Sequence, residues 1–176
     1  MTGVAPRYGL AVIAAFTLSA CDQQSKPVEL SSVAEAPAHH DAKLLEFSGR
    51  VRSDLRGVET LGRATNSKGV GTSSPGGRRY RVVVPVVPHG WEPAQPVPLW
   101  ITHVPRDVGS DGDPSAWLER AQSLQTEASV GKVVDYAGRE PGMRTVSAWQ
   151  KAVRNAEQAH GIQSDPHAPI VTWPAP

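Results

Sequence analysis

Arg79-Tyr80-Arg81-Val82-Val83-Val84-Pro85-Val86-Val87 starts as an alternation of polar and apolar residues and then becomes continuously apolar and β-branched. That is the pattern of a strand suited to a pleated, largely buried surface. Pro85 has no backbone donor to give a ladder, so Val86 and Val87 either lie beyond a bulge or belong to an edge strand. A proline-rich connection, Pro88-His89-Gly90-Trp91-Glu92-Pro93-Ala94-Gln95-Pro96-Val97-Pro98, leads into a second β-type run, Leu99-Trp100-Ile101-Thr102-His103-Val104. Two antiparallel strands joined by a stiff polyproline-like segment are therefore the expected centre of the fold. Trp91 has two readings, as a clip that fixes the connection to the sheet or as an aromatic offered to a partner. Trp91, Trp100 and His89 are the candidate partner-binding residues.

Outward from this centre the signals are shorter. Leu44 to Val51 and Val58 to Leu61 are β-compatible, Lys132 to Tyr136 reads as another strand, and Ile170 to Trp173 as a last strand or a surface-docked segment. Asp113 and Pro114 form an N-cap and first-turn pair, with Trp117, Leu118, Ala121, Leu124 and Ala128 on one face, which predicts a helix over 114–128. Thr145 is the expected cap of a second helix that buries Val146, Trp149, Val153 and Ala156 and ends at His160-Gly161. The Gly- and Ser-rich stretch from Arg63 to Gly77 reads as a connector. Lys68 precedes Gly69 and no helical pattern follows, so the phosphate-cradling arrangement of a P-loop is not met. The expected fold is α+β, a small antiparallel sheet with two amphipathic helices packed on it, in one domain covering 44–176.

Composition narrows the function classes. Across 176 residues, 18 Lys and Arg oppose 17 Asp and Glu, so no basic field favours a nucleic-acid partner. Sixteen Pro and sixteen Gly imply many turns, in a chain of otherwise globular composition.

The start of the chain carries an address. Arg7 precedes an apolar run from Leu10 to Leu18, too short to cross a bilayer as a helix, which takes about 20 residues, and suited to a secretory signal over residues 1–20. The run ends in Leu18-Ser19-Ala20-Cys21, which resembles the bacterial lipobox. That resemblance implies a diacylglyceryl group on the Cys21 thiol, cleavage before Cys21, and a periplasm-facing protein held to the membrane by its acyl chains. Cys21 is the only cysteine, so lipidation would also account for an otherwise unpaired thiol. Asp22 resembles the inner-membrane retention signal of enterobacterial lipoproteins and favours that membrane over the outer one. Residues 21–43 lack apolar periodicity and read as a lipid anchor followed by a flexible stalk. His39-His40-Asp41 lies in that stalk, and neighbouring residues of an extended chain point apart, so no metal site is expected there.

Catalytic signals are few. GxSxG, HExxH and CxxC motifs are absent from the sequence, and His103, Asp135 and Glu140 are candidate acid–base groups only if folding brings them together. The expectation is a non-enzyme without cofactor or metal that acts by binding a protein. Tyr80 to Trp100 (YRVVVPVVPHGWEPAQPVPLW) is similar in its Val-Pro and Trp-x-Pro pattern to short lipoproteins that accompany type VI secretion effectors. The resemblance implies an immunity protein or inhibitor of a secreted toxin. The alternative is a structural accessory lipoprotein of an envelope secretion or conjugation assembly.

Overall fold

The structure is a computed structural model that describes residues 26–61, 79–103, 114–138 and 145–174. Cys21, the signal segment, the connector centred on residues 63–77, Val104, Asp113 and Glu140 lie outside the described residues.

Eight strands form one mixed sheet: β1 (Val28–Glu29), β2 (Leu44–Phe47), β3 (Arg50–Val51), β4 (Gly57–Leu61), β5 (Arg79–Val87), β6 (Leu99–Thr102), β7 (Ser129–Tyr136) and β8 (Pro169–Thr172). Their spatial order is β1-β2-β7-β8-β6-β5-β3, with β4 also on β5. The expected β5–β6 antiparallel pair is present, Val86 opposite Leu99 and Val83 opposite Thr102. However, β6 pairs with β8 in parallel, and β1 pairs with β2 in parallel. The expectation of a small antiparallel α+β sheet is thus corrected to a larger mixed α/β arrangement dominated by sheet.

The physical reason lies in the apolar runs. A one-sided antiparallel sheet needs alternation, whereas strands covered on both faces are apolar throughout. Every residue of β6 and β8 is buried. Val82, Val84, Val86, Leu99, Ile101 and Val171 face one core with Leu45, Phe47, Trp117 and Leu124. Val83, Val87, Trp100 and Ile170 face the opposite core with Val153 and Ala156. Helix α1 (Ser115–Ala121) closes the first core, and α2 (Ala148–His160) closes the second.

Pro85 is accommodated by its neighbour. Arg50 and Val51 pair with Val87 and Val86, the ladder is interrupted by a 3₁₀ turn at Ser53–Leu55, and pairing resumes with Gly57 opposite Val83. The Pro85 carbonyl still accepts from the Arg52 N–H at 3.0 Å. In a strand a residue's N–H and C=O point to the same side. The missing donor of Pro85 therefore faces the place where the neighbour loops out, and no ladder bond is lost there.

The helices shift from their expected ends. Residues 114–128 become α1 followed by a 3₁₀ turn at Gln122–Gln125; Trp117, Leu118, Ala121 and Leu124 are buried, but Ala128 is exposed. The cap of α2 is Ser147, two residues beyond the expected Thr145. Its side chain accepts from the Gln150 N–H at 3.1 Å, and the Gln150 side chain accepts from the Ser147 N–H at 3.2 Å, a reciprocal capping box. Gly161 ends the helix in the left-handed region, φ 66°. Asn155 on α2 donates to the Val58 carbonyl at 2.8 Å, which covers the outer edge of β4.

The segment expected as a stalk contributes to the fold from Lys26 onward. Val28 pairs with Leu45, the Leu30 N–H donates to the Glu46 carbonyl at 2.9 Å, and a 3₁₀ turn at Val33–His39 buries Val33 and Ala36 in the first core. Three apolar anchors, Leu30, Val33 and Ala36, suffice because the sheet supplies the rest of their surroundings. The boundary expected at Leu44 therefore moves back to about residue 26.

Candidate functional site

The connection between β5 and β6 is built as two successive β-turns. Trp91 N–H donates to the Pro88 carbonyl at 3.2 Å, with Gly90 third in the turn at φ 79°, the conformation a type II turn asks of glycine. Gln95 N–H then donates to the Glu92 carbonyl at 2.9 Å, with Pro93 in the position where its fixed φ favours a turn. Gln95 Oε1 also accepts from the Glu92 N–H at 3.0 Å. The second half is held to the segment after α2: Val97 N–H donates to Gln163 at 2.8 Å and Asp165 N–H to Val97 at 3.0 Å.

Trp91 is the post of this loop. It is 8 % exposed, packs in the second core, and donates its indole N–H to the Pro96 carbonyl at 3.3 Å. Arg52 lies over its ring at 5.7 Å from the centroid while also holding Asp54. Of the two readings of Trp91, the clip describes its position. Trp100 is fully buried, with its indole N–H on Ser164 Oγ at 3.0 Å. Both tryptophans are thus corrected from partner-binding candidates to core residues, because each faces the α2 side of a sheet covered on both faces. Only His89 of the three is exposed, and it shares that exposure with Gly90 and residues 92–96.

The Arg52–Asp54 pair is the only salt bridge among the described residues, at 2.6 Å. The hydrogen bonds that Asp54 accepts from Arg52 hold its carboxyl below the ordinary value, with partial burial opposing them. A depressed folded-state pKa contributes stability above the unfolded value, about 3.9, which is lost as pH falls through the folded one. The Asp54 side chain is 60 % exposed, so Asp54→Asn should cost no more than about 0.5 kcal/mol at neutral pH. Urea titrations at several pH values should show that difference from the wild type begin to shrink as pH falls toward about 4 and vanish only below the folded-state value.

Of the acid–base candidates, the two within the described residues, His103 and Asp135, lie on opposite sides of the sheet. His103 follows β6, is buried, and meets Trp117 edge-on with centroids 5.8 Å apart, on the α1 side. Asp135 lies on β7 toward α2, where its carboxylate accepts from Ser147 Oγ, from the Tyr136 N–H at 2.9 Å and from Gln150 Nε2 at 3.3 Å. Gln150 Nε2 also donates to the Gly138 carbonyl at 2.7 Å. This partly buried network fastens the end of β7 to the start of α2. Ser147→Ala removes the cap and one partner of Asp135 together and should cost about 1–2 kcal/mol, read as a lower urea midpoint with unchanged slope.

Folding also assembles a cluster that sequence spacing does not show. His40 meets the Tyr136 ring at 5.8 Å and the His167 ring at 4.8 Å, and its Nδ1 lies 3.0 Å from the Pro37 carbonyl. Among the described residues no three His, Cys, Asp or Glu side chains are placed to hold a metal ion, and no helix is long and apolar enough to cross a membrane. Comparison with family models, curated proteins and solved structures gives no match.

Proposed function

We propose that the chain is a lipid-anchored, non-catalytic binding domain of the bacterial envelope, tethered through Cys21 and facing the periplasm, with the inner membrane favoured by Asp22. Its partner in this reading is a protein, and the resemblance over Tyr80 to Trp100 favours a secreted toxin that it inhibits. The observation carrying the binding reading is the Pro88–Pro98 loop. Its turns and its bonds to residues 163 and 165 are already made, so the exposed His89 and residues 92–96 are presented with little further ordering on association. Trp91 and Trp100 serve the reading from beneath, by fixing the loop.

The test is a strain lacking the gene, grown beside siblings that deliver toxins. It should be killed, and wild-type protein should rescue it. A His89→Glu, Glu92→Arg double variant with unchanged melting should not. Equal survival of the deleted strain would overturn the inhibitor reading, and loss of pilus or secretion-channel assembly in its place would support the accessory one.

A further inference from the structure

We propose that His40 and His167 form an open binding site for a divalent transition-metal ion, one imidazole nitrogen coming from each ring, with Cu²⁺ held most tightly. The site does not depend on the anchor or on the protein partner proposed above. The second ligand comes not from a sequence neighbour of His40 but from the segment that feeds β8, which folding brings against it. The two ring centroids are 4.8 Å apart and the ring planes are inclined at 43°. A first-row ion bound ~2.05 Å from one nitrogen of each ring sets the centroids roughly 4.5–5.2 Å apart, for bond angles between about 90° and 109°. The observed separation falls inside that range, so the rings can share an ion by turning about their own bonds, without backbone movement.

Each ligand is supported from behind. His40 Nδ1 lies 3.0 Å from the Pro37 carbonyl. A carbonyl only accepts, so Nδ1 carries the hydrogen and the neutral ring keeps its lone pair on Nε2. Metal-ligating histidines commonly have this support, an N–H on a backbone carbonyl that fixes the tautomer and the ring orientation. Pro37 lies in the 3₁₀ turn whose Val33 and Ala36 are buried in the first core, and Tyr136 meets the His40 ring edge-on at 5.8 Å. His167 is fixed through its backbone. Its N–H donates to Asp165 Oδ1 at 2.8 Å, and the carbonyls of Pro166 and Ala168 accept from Gly138 at 2.7 Å and Ala137 at 2.8 Å. Nε2 of His40 and both ring nitrogens of His167 make no hydrogen bond among the described residues. His40 is half-buried and His167 exposed, so the remaining coordination positions open to water. Two neutral imidazoles with no third His, Cys, Asp or Glu among the described residues favour transition metals over Mg²⁺ or Ca²⁺, which take oxygen ligands. Within that class Cu²⁺ binds more tightly than Ni²⁺ or Zn²⁺. The ion ties the segment over residues 26–43 to the approach to β8, so its binding stabilises the folded chain.

The test uses the full chain in detergent micelles, with any unacylated Cys21 thiol alkylated so that sulfur takes no metal. Titration with Cu²⁺ should fill a single site and raise the melting temperature, and a chelator should reverse the rise. Pulsed EPR of the copper complex should show the nitrogens of two histidine rings. His40→Ala and His167→Ala should each weaken Cu²⁺ binding by at least about tenfold, since loss of even a supporting group commonly costs that much. His89→Ala, at an exposed position outside the pair, should leave it unchanged. His167→Gln repeats the test with a side chain of similar bulk, and the wild-type spectrum gives the ligand count even where a variant folds poorly. A spectrum with one imidazole or none, or wild-type affinity in both His167 variants, would overturn the site. Neither readout passes through the anchor or the partner, so failure here leaves the proposed function standing.

Discussion

Trp100→Ala should lower stability by about 3–5 kcal/mol, as truncation of a fully buried aromatic does. Trp100 sits on β6 between β5 and β8, packs against the α2 face, and uses its indole N–H on Ser164. The substitution leaves a cavity in the middle of the sheet and removes the partner of a hydroxyl. Since a domain of this size is typically stable by only 5–15 kcal/mol, the variant should melt roughly 10 °C lower. Calorimetry on the purified variant checks this. A melting temperature within a degree or two of the wild type would show that the ring is not in the core.

Trp91→Ala should cost about 3 kcal/mol or somewhat more, with a second consequence that Trp100→Ala lacks. The ring is the support for both turns of the Pro88–Pro98 loop, through Pro96 on one side and Arg52 on the other. Without it, the amide of Gln95 should exchange much faster, while exchange at Ile101 and Val171 should speed up only in proportion to the lost global stability. Partner binding should weaken as well, because the loop must then be ordered on association. If the ring were a partner anchor, binding would fall by about 2 kcal/mol or more with stability unchanged. Denaturation and hydrogen exchange on the same variant therefore separate the two roles.

The local elements were legible because their signals are local. The β-branched run of β5, the Trp117–Leu124 stripe and the His160-Gly161 terminus each occupy a few consecutive turns or residues, and each appears near its expected position. The cap of α2 was also legible: Ser147-Ala148-Trp149-Gln150 has the capping-box spacing, which outranks a lone Thr145. Topology was less so. That β8 inserts between β6 and β7 depends on covering both sheet faces, and the uninterrupted apolar character of Leu99–Thr102 and Pro169–Thr172 was its only trace. The candidate site suffered from the same omission. An aromatic in a proline-rich loop looks exposed until a second core exists beneath it, and Trp91 and Trp100 face that core. His40, Tyr136 and His167 come from three distant segments, so no spacing could join them. Residues 26–43 were misread because Ser, Ala and Pro dilute their apolar content, although Leu30, Val33 and Ala36 fall on the buried side.

The domain boundary near residue 26 and the packing of Leu30, Val33 and Ala36 in the first core depend on those residues belonging to the fold. Hydrogen exchange of the intact protein across 26–43 tests this most directly. The amides of Leu30, Glu35 and Ala42, which donate to the Glu46, Ser32 and His39 carbonyls, should be protected together with the β2–β7 ladder. Exchange at free-peptide rates throughout 26–43, with Val84 and Ile101 still protected, would contradict the account.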